Sequence, residues 1–187
     1  MEIEEIYDKL EIAIESIFSN DNWLLEKDLS ERSISHKLAE YLQPLFLDYN
    51  VDCEYNGDID RDIPEENQLG RKRISALWSD LEKYKLLSKK ELESETEKEL
   101  VERLVCPDII IHRRGTNEFN LCIIEVKKST SQVPYNYDRI KLRAYTTNNY
   151  GNLKYKVGYF VKFVTGITDT DYDIKEFQNG EGPDLEH

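Results

Sequence analysis

The chain lacks several features that would assign a class of protein directly. No apolar run approaches the roughly 20 residues that a membrane-spanning helix needs, and the start is acidic and amphipathic rather than signal-like. The three cysteines are odd in number and widely spaced, which indicates neither a disulfide framework nor a zinc site. The three histidines show no metal-ligand spacing, and no repeat, helix-turn-helix or zinc finger is present. These absences predict a soluble, cytoplasmic domain whose metal binding would rest on carboxylates.

The charge of the chain is strongly negative but unevenly distributed. The net charge is −13, and duplex binding depends on lysines and arginines that meet phosphates. Residues 106 to 164, however, hold 10 basic and 4 acidic residues, whereas residues 1 to 50 hold 4 basic and 12 acidic ones. An acidic body with one basic segment can bind DNA, although its field should slow association. An ordinary solvated surface explains the same charges equally well, so charge alone leaves this partner open.

Two short β-branched runs joined by a glycine turn carry charged residues inside otherwise apolar strands: Asp108, Glu125 and Lys127. Burial of these groups is costly unless a cation or hydrogen bonds compensate them. If the hairpin turns at residues 116 and 117, facing residues have numbers that add to 233, so Asp108 faces Glu125. Glu125 and Lys127 share a face because side chains alternate along a strand. The three groups are therefore predicted to meet, and a one-residue slip would separate them.

The arrangement of Pro107, Asp108, a hairpin and Glu125-Val126-Lys127 resembles the motif of the PD-(D/E)xK nuclease superfamily, which has the restriction-endonuclease-like fold. The resemblance covers roughly residues 29 to 164 with one insertion. It implies that Asp108, Glu125 and the backbone carbonyl of Val126 bind Mg²⁺ or Mn²⁺. It also implies that Lys127 positions the attacking water or helps to deprotonate it.

The same resemblance implies an acidic residue on the helix before the core sheet, and Glu31 matches it as a further catalytic residue and metal ligand. Ser30 is a good N-cap for this helix. The helix dipole would favour Glu31 in the first turn even without a metal, so both interpretations remain open.

The hydrophobic pattern predicts one α/β domain over residues 1 to 184. A restriction-endonuclease-like core is expected, with a central mixed sheet of about four to five strands flanked by helices and an amphipathic N-terminal helix at residues 2 to 18. Residues 57 to 105 are predicted to form a mainly helical insertion between the first and second core strands. Residues 165 to 184 are expected to form a loosely packed acidic tail. Residues 185 to 187 are interpreted as the remnant of an expression tag.

Within the insertion, helices are expected at about residues 74 to 86 and 89 to 104. After the hairpin, a helix is expected at residues 135 to 148 and a strand at residues 154 to 164. This last strand should be the crossover partner of the strand that carries Glu125.

The activity implied by the resemblance is metal-dependent hydrolysis of phosphodiester bonds in nucleic acid, in the first instance DNA, in restriction, repair or defence. The basic residues expected to contact nucleic acid are Lys128, Lys141, Arg113, Arg114, Arg71, Lys72 and Arg73. A surface ion pair with Asp138 is the alternative for Lys141. A homodimer would suit the cutting of two strands.

Two other interpretations stay open. The first is a catalytically inactive nuclease-like fold that acts as an acidic protein-binding or DNA-mimic module, which the net charge favours. The second is a structural role for the three charged strand residues as an internal ion-pair cluster.

Overall fold

The protein is described by a computed structural model that covers residues 1–63, 68–93, 99–149 and 153–185. This part of the chain forms six α-helices, which are α1 (Ile3–Asn20), α2 (Trp23–Glu26), α3 (Glu31–Leu42), α4 (Trp78–Lys83), α5 (Lys89–Leu92) and α6 (Asn136–Thr146). It also forms nine strands, which are β1 (Asn50–Cys53), β2 (Gly57–Ile63), β3 (Gln68–Arg71), β4 (Arg73–Leu77), β5 (Leu100–Leu104), β6 (Ile109–His112), β7 (Cys122–Lys128), β8 (Val157–Val164) and β9 (Asp171–Phe177). None of the helices in these ranges is long and apolar enough to cross a membrane.

A five-stranded mixed sheet forms the centre of the molecule, in the order β1-β6-β7-β8-β9. Strands β7 and β8 are parallel and are connected through α6, whereas the other neighbours are antiparallel. The predicted α/β class, the mixed sheet and the crossover between β7 and β8 are therefore confirmed.

The register of the β6–β7 hairpin is the one that the sequence predicts. Ile109 faces Ile124, Ile110 faces Ile123 and Ile111 faces Cys122, so each pair of numbers adds to 233. The next pair along this register is Asp108 with Glu125.

The alternation of side chains divides the sheet into two buried faces. Ile124 and Val126 belong to one hydrophobic cluster with Leu10 of α1 and Leu38 of α3. Ile123 belongs to a second cluster with Leu142 and Tyr145 of α6. Glu125 and Lys127 have the same parity as Ile123, so they lie on the face that α6 covers.

The insertion between β1 and β6 contains more strand than helix, so its predicted mainly helical character is wrong. Residues 73 to 77 form β4 and pair in antiparallel fashion with β5, where two helices were expected. Residues 94 to 98 of the second expected helix lie outside the described residues. Ile74 and Ala76 are buried while their neighbours are half-buried, which is the period of a strand. Ala76 of β4 and Val101 of β5 pack against Ile140 of α6.

The prediction of a loosely packed tail at residues 165 to 184 is also wrong in part, because residues 171 to 177 form β9. This edge strand pairs with β8 along its whole length. Tyr172 and Ile174 pack against the first cluster, and Phe177 is fully buried in the second. Leu185, which we assigned to a tag remnant, is buried in the second cluster, and residues 186 and 187 lie outside the described residues.

Candidate active site

The N-terminus of α3 is fixed against the end of β7 by Glu31. The Ser30 side chain accepts a hydrogen bond from the Ser33 N–H (3.1 Å) and caps the helix as predicted. The Glu31 carboxylate accepts from the Lys127 ammonium (3.2 Å) and from the Lys128 backbone N–H (3.3 Å). Glu31 is thus brought to the predicted site.

Asp108 lies immediately before β6 and is half-buried. The backbone N–H of Val126 donates to Asp108 Oδ2 at 2.7 Å, so this carboxylate is oriented toward β7. Burial raises the pKa of Asp108, while the Val126 hydrogen bond and the charges of Lys141 and Lys127 oppose that shift. The contact between Val126 and Asp108 is made through the Val126 N–H, whereas the resemblance implies a role for its carbonyl.

Glu125 is 1% exposed and is paired with a lysine from α6. Its Oε2 lies 2.6 Å from Lys141 Nζ, which is also 2.8 Å from Asp138 Oδ1. The other oxygen, Glu125 Oε1, is buried and has no hydrogen-bond partner among the described residues. Burial raises the pKa of Glu125, and the neighbouring Lys141 only partly offsets this effect.

Lys127 lies between Glu31 and Asp138 at the edge of the same face. Its Nζ is 3.2 Å from Glu31 Oε2 and 3.6 Å from Asp138 Oδ2. Burial lowers the pKa of Lys127, but the charges of Asp138, Glu31 and Asp108 raise it more, and the net shift is upward. Lys127 therefore keeps its proton, and its positive charge, at neutral pH.

An open pocket of about 560 Å³ gives access to Asp108 and Glu31. Its lining residues are Ser30, Glu31, Arg32, Ser35, His36, Cys53, Glu54 and Asp108. The Arg32 guanidinium in this lining is paired with Glu54 at 2.7 Å. Glu125 and Lys141 do not line this pocket. The site is therefore open on its Asp108 side and closed on its Glu125 side.

The donor set suits a hard divalent cation, although its oxygens are not gathered around a single point. With every group ionised, the six charged residues of the site carry a formal charge of −2, from four carboxylates and two ammonium groups: Asp108, Glu125, Asp138, Glu31, Lys127 and Lys141. Carboxylate oxygens are the ligands that Mg²⁺ and Mn²⁺ prefer. Glu125 Oε1 is a buried acceptor without a partner in the described ranges. No group of three or more His, Cys, Asp or Glu side chains within these ranges is placed to hold a metal.

Asp138 was not predicted as part of the site. Its i, i+3 relation to Lys141 suggested a surface ion pair, but Asp138 is 4% exposed and Lys141 is 9% exposed. The ion pair is present at 2.8 Å and is buried. An acid that contacts both Lys127 and Lys141 joins the two lysines into one network.

The basic residues predicted to contact nucleic acid are dispersed. Lys128 is held by Asp28 at 2.9 Å, and Lys141 is in the buried network. Arg113 and Arg114 follow β6 at the end of the strand opposite Asp108. Arg113 lies over the ring of Phe119 at 4.6 Å, whereas Arg114 forms an ion pair with Asp52.

The predicted cationic cluster of Arg71, Lys72 and Arg73 is divided by the alternation of an extended chain. Arg71 is exposed, and Arg73 lies 3.4 Å from Glu102. Lys72 is 1% exposed and donates to the Gly57 carbonyl at 2.5 Å. Burial lowers the pKa of Lys72 to about 8. Lys72 is thus an internal group rather than a member of a surface patch.

The structure therefore brings together Asp108, Glu125, Lys127 and Glu31, adds Asp138 and Lys141, and places the other predicted basic residues elsewhere. Comparisons with protein-family profiles, with curated proteins and with solved structures each find no match to this chain.

Proposed function

We propose that this protein is a metal-dependent nuclease that hydrolyses phosphodiester bonds, in the first instance those of DNA. The observation that carries the proposal is the meeting of Asp108, Glu125 and Lys127 near the C-terminal end of the central strand β7, with Glu31 beside them and an open pocket in front of Asp108. The resemblance to the PD-(D/E)xK superfamily, and the restriction-endonuclease-like fold that it implies, belong to the same proposal.

Asp108 and Glu125 are the residues that would hold Mg²⁺ or Mn²⁺. Such an ion polarises a phosphate oxygen and lowers the pKa of a bound water. Support for this assignment comes from the formal charge of the site, from the unpartnered Glu125 Oε1 and from the upward shift in the pKa of both carboxyls. A group whose ionised form is disfavoured by burial gains the most from a nearby cation.

Lys127 supplies a fixed positive charge next to the two carboxylates. Because its pKa is raised, Lys127 is suited to orient the attacking water and to stabilise the negative charge that develops on the phosphate. It is less suited to remove a proton from water. Glu31 and Asp138 hold the ammonium group from two sides, which fixes its position before a substrate arrives.

A second candidate is an inactive nuclease-like fold that binds a basic protein or mimics DNA. The observation that favours it is the ion pair of Lys141 with Glu125, which neutralises this carboxylate without a metal. The net charge of −13 is consistent with both candidates. A dependence on metal distinguishes them.

The test is cleavage of plasmid, linear and branched DNA with Mg²⁺ or Mn²⁺. We expect cleavage that EDTA abolishes and that Asp108→Asn and Glu125→Gln reduce at least about 100-fold, because each removes a charged ligand while keeping the side-chain volume. Glu118→Gln is the matched control, since Glu118 is exposed in the loop at the opposite end of the same hairpin. Cleavage that survives in Asp108→Asn, or that needs no metal, would contradict the proposal.

A further inference from the structure

We propose that Lys141 is a built-in competitor of the metal, which keeps the affinity of Asp108 and Glu125 for a divalent cation low as long as its ammonium group remains beside Glu125. The inference rests on the proposed function and concerns the regulation of the same site. The occupant would be a hard dication with oxygen ligands, and Mn²⁺ is the probe.

Lys141 is placed where a cation bound to Glu125 would lie. Its Nζ is 2.6 Å from Glu125 Oε2, and both side chains are almost completely buried. A dication close to Glu125 would meet a positive charge a few ångströms away, and such repulsion is strong where water is excluded. The two cations therefore compete for the same carboxylate.

Asp138 gives Lys141 a second partner that does not depend on Glu125. Asp138 Oδ1 lies 2.8 Å from Lys141 Nζ on the same helix. Lys141 would therefore keep an ion pair after leaving Glu125, so the exchange does not strand a buried ammonium group without a counter-ion. The ring of Tyr137, 5.7 Å from Nζ, also faces this ammonium group.

The formal charge of the site indicates how strongly Lys141 reduces the attraction for a dication. With Lys141 counted, the four carboxylates and two ammonium groups of the site carry a formal charge of −2, which a dication balances. The positive charge of Lys141 thus reduces the attraction for the metal but does not remove it. A purely structural counter-ion would share the distances above, but its replacement would not create a tighter site for Mn²⁺.

The experiment measures Mn²⁺ binding to the whole chain by electron paramagnetic resonance of the free ion, together with thermal unfolding with and without Mn²⁺. We expect Lys141→Met and Lys141→Gln to bind Mn²⁺ at least about tenfold more tightly than the wild type. Mn²⁺ should also raise the melting temperature of these variants more than that of the wild type, because the ion replaces the lost charge. The double change Glu125→Gln with Lys141→Met should abolish both gains.

Lys128→Met is the matched control. It removes an adjacent lysine that is paired with Asp28 rather than with Glu125, so its Mn²⁺ affinity should stay within about twofold of the wild type. Equal gains in Lys128→Met and Lys141→Met would indicate a general effect of charge and would overturn the inference.

The other outcomes separate this inference from the proposed function. If the wild type binds Mn²⁺ through Glu125 but the Lys141 variants bind it no more tightly, the competition is wrong and the nuclease proposal stands. If no variant binds Mn²⁺ and no cleavage depends on Asp108, both are wrong. If neither Lys141 variant folds even with saturating Mn²⁺, the ion does not replace the lysine and the inference is overturned.

Discussion

At the scale of single residues, one carboxylate oxygen of Asp28 joins three segments of the chain near the site. Asp28 Oδ1 accepts hydrogen bonds from the hydroxyls of Thr130 and Thr165 (2.7 Å each) and from the Lys128 ammonium (2.9 Å). These bonds connect the residues before α3 to the segments that follow β7 and β8. Because Glu31 begins α3, Asp28 helps to hold Glu31 beside Lys127.

The hydrogen bond from Lys128, followed by those from Thr165 and Thr130, lowers the pKa of Asp28 to about 2 from an ordinary value of 3.8. A carboxyl with a lowered pKa in the folded state contributes stability that is complete above its unfolded pKa. That stability is lost as the pH falls from about 4 toward about 2.

We therefore expect Asp28→Asn to be less stable than the wild type above about pH 5, with a difference that shrinks toward pH 2. Asparagine tolerates the positive φ of 52° at this position, so the backbone is retained. Urea unfolding of both proteins across this range measures the difference. Parallel stability curves would show that the interactions of Asp28 do not depend on its charge.

Single residues also show what the sequence leaves undecided. Asp108, Glu125 and Lys127 were predictable because a charge inside an apolar strand is unusual and because a turn centred on residues 116 and 117 gives the register that the structure shows. The burial of Lys72 was not predictable, because it depends on which side of an extended segment faces the core. Asp138 was seen as a partner of Lys141, but its contact with Lys127 requires α6 to lie over β7.

At the scale of elements, α3 positions Glu31 through its cap and through its buried face. Leu38 is completely buried against the sheet, whereas Leu47, which follows the helix, is 87% exposed. A leucine-to-alanine substitution at each position therefore distinguishes the effect of lost packing from the effect of the substitution itself.

We expect Leu38→Ala to lower the free energy of unfolding by about 2–5 kcal/mol, since it removes buried apolar contact and leaves a cavity. Leu47→Ala should change it by less than about 0.5 kcal/mol. Equilibrium unfolding in urea checks both values. A Leu38→Ala variant as stable as Leu47→Ala would mean that α3 is not packed on the sheet as described.

The elements differ in how well the sequence predicts them. Helix α1 and strand β8 show a long periodic pattern of apolar residues in the local sequence, and they occur close to the expected bounds. Strands β4 and β5 are five residues each and pair across an intervening segment, so local propensity does not identify them. Strand β9 lies at the edge of the sheet, where charged side chains are common, and its acidic sequence favoured the prediction of a tail. The alternation of Tyr172 and Ile174 is the signal that indicates a strand.

At the scale of the whole molecule, most of the basic residues predicted to meet nucleic acid are buried or paired with acids of the same chain. Among the seven basic residues predicted to meet nucleic acid, Lys72 and Lys141 are buried. Lys128, Arg73 and Arg114 form ion pairs with acidic residues. Within the described residues, Arg71 and Arg113 are exposed and form no ion pair with an acid. A net charge of −13 adds a repulsive field around the molecule.

If this protein binds DNA, as the proposed function requires, few phosphates should therefore be neutralised in the absence of metal. Seven contacts would give a slope of log K against log salt concentration of about −6, whereas two contacts give about −2. We expect the shallower slope for Asp108→Asn with a short labelled duplex in EDTA, measured by fluorescence anisotropy between about 50 and 200 mM NaCl. Arg113→Gln should reduce this slope by about 1, while Arg114→Gln, whose guanidinium is held by Asp52, should reduce it less. A slope near that for seven contacts would mean that the ion pairs of these basic residues open on binding. The affinity for DNA would then come from the basic residues outside the metal site.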